Sequence, residues 1–135
     1  MSTFMTRVYE ADNTFFVGEL ESLTIPTVDG EYGVLAKHEN LVVAVLPGKM
    51  KYRTPDGEEH LAFVSDGMMR VEDGEVLILV DSAEHPEEID IEKVKKKEAA
   101  AKEAMLQKRS LHEYTLAESS LKRAIARLKV KNGGF

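Results

Sequence analysis

The 135-residue chain contains no cysteine. Disulfides, thiolate metal sites and cysteine nucleophiles are therefore all excluded, and the composition fits a reducing compartment. No apolar run approaches the roughly 20 residues that a helix needs to cross a bilayer. The opening "MSTFMTRVYEADNTFF" has no basic stretch followed by an apolar one, the pattern of a secretory leader. A soluble, cytoplasmic chain is the expectation. Two catalytic signatures are missing as well: G-x-S-x-G for a serine nucleophile, and G-x-x-x-x-G-K-[ST] for nucleotide hydrolysis. The 4 histidines are scattered, without H-x-H, H-E-x-x-H or two-His-one-carboxylate spacing, so no metal site is expected.

What is present is charge, unevenly placed. Residues 1–86 hold 6 Lys/Arg against 16 Asp/Glu, a net of −10, whereas residues 87–135 hold 12 against 8, a net of +4. The two parts therefore face different partners. The basic part is interleaved with acids, has one aromatic before the terminal Phe135 and matches no nucleic-acid motif, which argues against nucleic acid as that partner.

The same boundary divides the hydrophobic pattern. Up to about Val80, short apolar runs such as "FMTRVY", "LTIPTV", "LVVAVL", "LAFVS" and "EVLILV" alternate with turn residues, the signature of an all-β sandwich or barrel. "VDG" (28–30), "PDG" (55–57) and "EDG" (72–74) place glycine where a turn needs positive φ. "KMKYRT" reads as a strand with one wet face. "LVVAVL" and "VLILV" read as strands buried on both faces across the middle of the core.

From Ile89 onward the period changes to that of a helix. Ile91, Val94, Glu98, Ala101 and Met105 form one narrow stripe, and Tyr114, Ala117, Leu121, Ala124 and Leu128 form a second. Asp90 suits an N-cap, with Ile89 and Val94 at staple positions. Ser110 with Glu113 suits a capping box, and "NGG" (132–134) a stop. The short "QKRS" between the stripes predicts an antiparallel helical hairpin. Its alanine-rich seam buries few large side chains. At roughly 25 cal/mol per Å² such burial barely exceeds the ordering entropy, so the hairpin either docks reversibly or rests permanently on the sandwich. The expected class is α+β, with domains at 1–86 (β-sandwich) and 87–135 (helical hairpin).

One stretch concentrates polar groups around two glycines: "DGEYGVLAKHENL" (29–41), with Asp29, Glu31, His38 and Glu39. It suits either a recognition loop held on a rigid sheet or a structural loop with surface charge. The order "TIPTVDGEYGVLAKHENLVVAVLPGKMKY", "FVSDGMMRVEDGEVLILVDSAEHPEEID" and "AESSLKRAIARLKV" resembles the epsilon subunits of bacterial rotary F-type ATP synthases over nearly the whole chain. The resemblance implies a ten-stranded N-terminal β-sandwich followed by a C-terminal antiparallel two-helix hairpin, in a non-catalytic central-stalk subunit. It also implies a gamma subunit and a membrane c-ring as partners, with Glu31 and His38 on the contact surface. Attachment to the membrane would be peripheral, through the complex and on the cytoplasmic face.

Family members also inhibit ATP hydrolysis by extending the hairpin toward an acidic region of a beta subunit. Lys122, Arg123, Arg127 and Lys129, followed by Lys131, are the matching basic residues here. Some members hold a regulatory ATP through an I-D-x-x-R-A motif and second-helix arginines; no cofactor is otherwise required. Asp90, Arg123 and Arg127 match that set, but Lys93 and Val94 replace the motif's arginine and alanine. Lysine cannot reproduce arginine's planar fork, which weakens the expected site, although Lys93, Lys95, Lys96 and Lys97 would still attract phosphate. The alternative is a free-standing β-sandwich ligand-binding or metal-dependent enzyme domain with a helical dimerisation tail.

Overall fold

The structure, a computed structural model, describes residues 2–107 and 110–133. Ten strands come first: β1 (Phe4–Glu10), β2 (Asn13–Leu20), β3 (Ser22–Thr27), β4 (Gly30–Leu35), β5 (Leu41–Val45), β6 (Gly48–Arg53), β7 (Glu59–Val64), β8 (Gly67–Glu72), β9 (Glu75–Val80) and β10 (Ala83–Glu84). A 3-10 turn at Pro86–Glu88 leads into α1 (Ile91–Gln107) and α2 (Leu111–Lys131). The strands form two five-stranded sheets, in the orders β2-β1-β9-β8-β5 and β10-β7-β6-β3-β4. β1 lies parallel to β9, and the other described pairs are antiparallel.

Alternation builds the core. Val8, Met69, Val71 and Ile78 from the first sheet meet Leu23, Ile25, Met50, Ala62 and Val64 from the second, all buried. The turns follow the glycine pattern: Gly30, Gly57 and Gly74 have φ of 101°, 86° and 78°, in the region that side chains disfavour.

The two strands expected to be buried on both faces are not. β5 is the edge of the first sheet, and Val42 on its outer side is 65 % exposed. β9 is central, but only Val76, Ile78 and Val80 point inward, while Leu79 is exposed. Pleating sends alternate side chains to opposite faces whatever their type, so an all-apolar strand in a two-layer sandwich paints its outer face apolar.

The hairpin lies on the outer face of the second sheet. The predicted stripes meet in its seam, where Val94, Ala101, Ala117 and Ala124 are buried and Glu98 is half-buried. Asp90 caps α1, its Oδ1 accepting from the backbone N–H of Glu92 (3.0 Å) and Lys93 (3.3 Å). Ser110 caps α2, its Oγ accepting from Glu113 N–H at 3.1 Å. The "QKRS" link includes Lys108 and Arg109, which lie outside the described residues. At the far end Asn132 is the C-cap and Gly133 has φ of 68°. Gly134 and Phe135 lie outside the described residues.

α2 also has a second buried stripe absent from the expectation. Ala126 and Val130 pack on Leu61 and Phe63 of β7, together with Ile89 and Val94, both of the predicted staple. The turn end of the hairpin is bare: Leu106 is 78 % and Leu111 82 % exposed. No described helix is long and apolar enough to cross a membrane.

Candidate functional site

The seam between α2 and the second sheet gathers most of the predicted functional residues. Phe63 projects from the outer face of β7 and is fully buried. The register pairs it with Glu84 of β10, which sets a carboxylate beside an aromatic ring. Arg127 serves both. Its guanidinium carbon sits 4.3 Å from the Phe63 ring centroid, and its Nε donates to Glu84 Oε1 at 2.8 Å and Oε2 at 3.2 Å. One turn earlier on the same helical face, Arg123 donates to Asp66 Oδ2 at 2.7 Å. Lys131 Nζ donates to the Pro86 carbonyl at 3.0 Å, tying the end of α2 to the linker.

Beside this seam is a cavity of about 250 Å³, lined by residues that include Glu84, Glu88, Asp90, Lys93, Lys97 and Arg127. Asp90 and Arg127 of the expected nucleotide set thus line one cavity. Arg123 does not; it is held at Asp66. The cavity fits a nucleotide only in part. Lys93 and Lys97 supply cationic groups, but Asp90 already caps a helix, Arg127 is committed to Glu84, and three carboxylates share the walls. Its volume is also below the ~300 Å³ at which small-molecule sites begin.

Lys122 and Lys129 lie along the other flank of α2. They line a groove of about 380 Å³ with Glu31, Pro26, Lys49 and Ile125, so Glu31 faces the basic helix across the groove. Lys122 also pairs with Glu118 one turn back, at 3.7 Å. His38 is separate from this groove. Its Nδ1 lies 2.7 Å from the Glu39 carbonyl oxygen and must carry the proton there. Nε2, 2.9 Å from the Tyr32 hydroxyl, then accepts from it. With both ring nitrogens engaged, His38 braces the loop after β4 and is not a free base. Glu31 and His38 are not brought together, because Tyr32, the partner of His38, packs on the sandwich core while Glu31 faces the groove.

A surface that sequence reasoning missed is the outer face of the first sheet. Val17, Val42 and Leu79 are exposed there, and Leu77 and Met68 are half-exposed, Leu77 in register with Arg70 and Met68 with Leu79. The signal is present in the apolar runs "LVVAVL" and "VLILV", whose alternate residues face outward.

Two family models cover the chain. The one described as ATP synthase, Delta/Epsilon chain, beta-sandwich domain matches residues 3–86, and the one described as ATP synthase, Delta/Epsilon chain, long alpha-helix domain matches residues 87–132. The ATP synthase epsilon chain of Ruminiclostridium cellulolyticum is 40 % identical over 132 residues, 98 % of each chain. That of Caldanaerobacter subterraneus subsp. tengcongensis is 37 % identical over 128 residues, 95 % of this chain and 93 % of the relative. Among solved structures, a chain of the Euglena gracilis mitochondrial ATP synthase (OSCP/F1/c-ring) superposes with a TM-score of 0.84 at 27 % identity, covering 93 % of this chain and 79 % of that one. A central stalk/c-ring chain from Tetrahymena thermophila, at 13 % identity and a TM-score of 0.64, shares the fold.

Proposed function

The chain belongs to the delta/epsilon family of ATP synthase subunits, as an epsilon chain and a non-catalytic part of the rotor stalk, and from that premise we propose that it couples the gamma subunit to the membrane c-ring and restrains ATP hydrolysis through its C-terminal helices. The observation that carries the coupling role is the inequality of the two outer faces. The second sheet is covered by the hairpin; the first is left bare with Val17, Val42 and Leu79 outward. Apolar side chains set among the Arg7–Glu75 and Arg70–Glu72 ion pairs on an uncovered sheet face suit a protein partner, and gamma is the partner assigned to it. Glu31, near the start of β4, and the His38 loop that follows β4 are assigned to the c-ring. Membrane association is then peripheral, through the complex, at the cytoplasmic face.

For the restraining role, Lys122, Arg123, Arg127 and Lys129 of α2 are assigned to an acidic region of the beta subunit, reached when the hairpin leaves the sandwich. Regulatory ATP is assigned to the cavity beside Asp90 and Arg127, where it would hold the hairpin down. The free-standing ligand-binding or enzyme reading is displaced by family membership.

The coupling assignment is tested by co-purification of purified gamma with the full chain. The double variant Val42→Asp/Leu79→Asp places two charges on the bare face and loses the complex. Retention of gamma at wild-type stoichiometry would move the gamma contact elsewhere.

A further inference from the structure

The charge asymmetry of the sequence, −10 before residue 87 and +4 after it, is resolved within the molecule, because the acidic sandwich and the basic α2 face one another. Three sandwich carboxylates do this: Asp66 holds Arg123, Glu84 holds Arg127, and Glu31 lines the groove of Lys122 and Lys129. We propose that Asp66 and Glu84 are an internal stand-in for an acidic partner, occupying Arg123 and Arg127 in the folded-down hairpin and withholding them from any acidic surface outside the chain. The proposal rests on the inhibitory role given to α2 above, and it adds the residues that compete for that role.

The competition is stoichiometric. Arg127 gives its Nε to both oxygens of Glu84 while its face lies on Phe63, and that geometry cannot be kept while the same guanidinium engages a second carboxylate in place of Glu84. The two pairs are unequal. The side chains of Arg127 and Glu84 are 18 % and 26 % exposed, whereas those of Arg123 and Asp66 are 33 % and 52 % exposed. Solvent and salt therefore weaken the Asp66 pair first, leaving Glu84 as the stronger competitor. The hairpin is thus released in two steps, the outer pair before the inner.

Because the chain has no cysteine, dyes can be placed at will. Asp12→Cys in the β1–β2 turn and Glu103→Cys on α1, both exposed, report the sandwich-to-hairpin distance in the full chain. Poly-L-glutamate serves as the acidic probe at low salt. Asp66→Asn/Glu84→Gln is expected to bind the probe and open about tenfold more readily than the wild type, most of the change coming from Glu84→Gln. The charge-swapped Arg123→Asp/Asp66→Arg chain is expected to stay closed, which separates loss of pairing from loss of folding. Equal probe affinity and equal open fraction in wild type and double variant would overturn the proposal. Opening in the free chain combined with unchanged ATP hydrolysis in the reassembled complex would leave the internal competition standing and remove the inhibitory reading instead.

Discussion

Phe63 allows docking of the hairpin to be separated from stability of the sandwich. Its neighbours in the strand, Ala62 and Val64, point into the sandwich core, so Phe63 is buried by the hairpin and not by the opposite sheet. Removing its ring in Phe63→Ala forfeits the burial of a large apolar side chain, about 1.5–3 kcal/mol, and a desolvated cation–π contact of about 0.5–2 kcal/mol. The docking equilibrium should then weaken by about 2–5 kcal/mol, on the order of 30- to 5,000-fold, while the sandwich core keeps its packing. Hydrogen exchange on the full chain reads both at once. Amides of the C-terminal half of α2 should lose protection by this factor, and those of β8 and β9 should stay within a few-fold of wild type. Equal loss in both regions, or none in α2, would refute the assignment of Phe63 to the docking interface alone.

Gly67 should tolerate no side chain: an added Cβ would meet the Leu79 carbonyl oxygen at 2.0 Å and Val80 Cα at 2.7 Å, so Gly67→Ala must shift backbone in a central ladder. A loss of about 3 kcal/mol or more in urea unfolding is expected, and a midpoint within error of wild type would contradict it. Asp56 is held below the usual carboxylate value of 3.8, first by the Thr54 hydroxyl and then by the Glu58 backbone N–H. A depressed folded pKa gives stability that is present above the unfolded value and lost as pH falls through the folded one. Asp56→Asn should therefore flatten the acid limb of a stability curve below about pH 4; an unchanged slope would remove Asp56 from it. In the reassembled complex, Arg123→Ala/Arg127→Ala should raise ATP hydrolysis, because the opened hairpin then keeps only Lys122 and Lys129 of the four cations assigned to the acidic partner. Unchanged hydrolysis would take both residues out of the mechanism. Calorimetric titration of ATP into the free chain should give saturable binding weakened by Lys93→Ala, and a flat isotherm would exclude nucleotide control.

Much of this architecture is legible in local pattern. Turn glycines at 30, 57 and 74, the capping residues Asp90 and Ser110, and the two seams of the hairpin all depend on residues within a few positions of one another, and the structure places them as expected. What was not legible depends on partners far along the chain. Whether Val42 is inside or outside depends on where β5 falls in its sheet, which no window around Val42 encodes. Ala126 and Val130 form a second stripe because α2 touches both α1 and β7, and a narrow one-face template cannot hold both. The basic residues of α2 were legible as a charged face. Their counterparts Asp66 and Glu84, 57 and 43 positions away, were not.

The parallel pairing of β1 with β9, in which Thr6 meets Val76, has a consequence for how the chain is made. The first strand to leave the ribosome must wait for the last strand of its sheet, so closure of the sandwich is a high-contact-order step that cannot precede synthesis of residue 80. Until then β1 has only β2 beside it in the first sheet, and its other edge is open to any passing strand. The hairpin, made of local contacts and synthesised last, can fold within microseconds of emerging. Its landing surface, Phe63 included, is complete by the time it arrives.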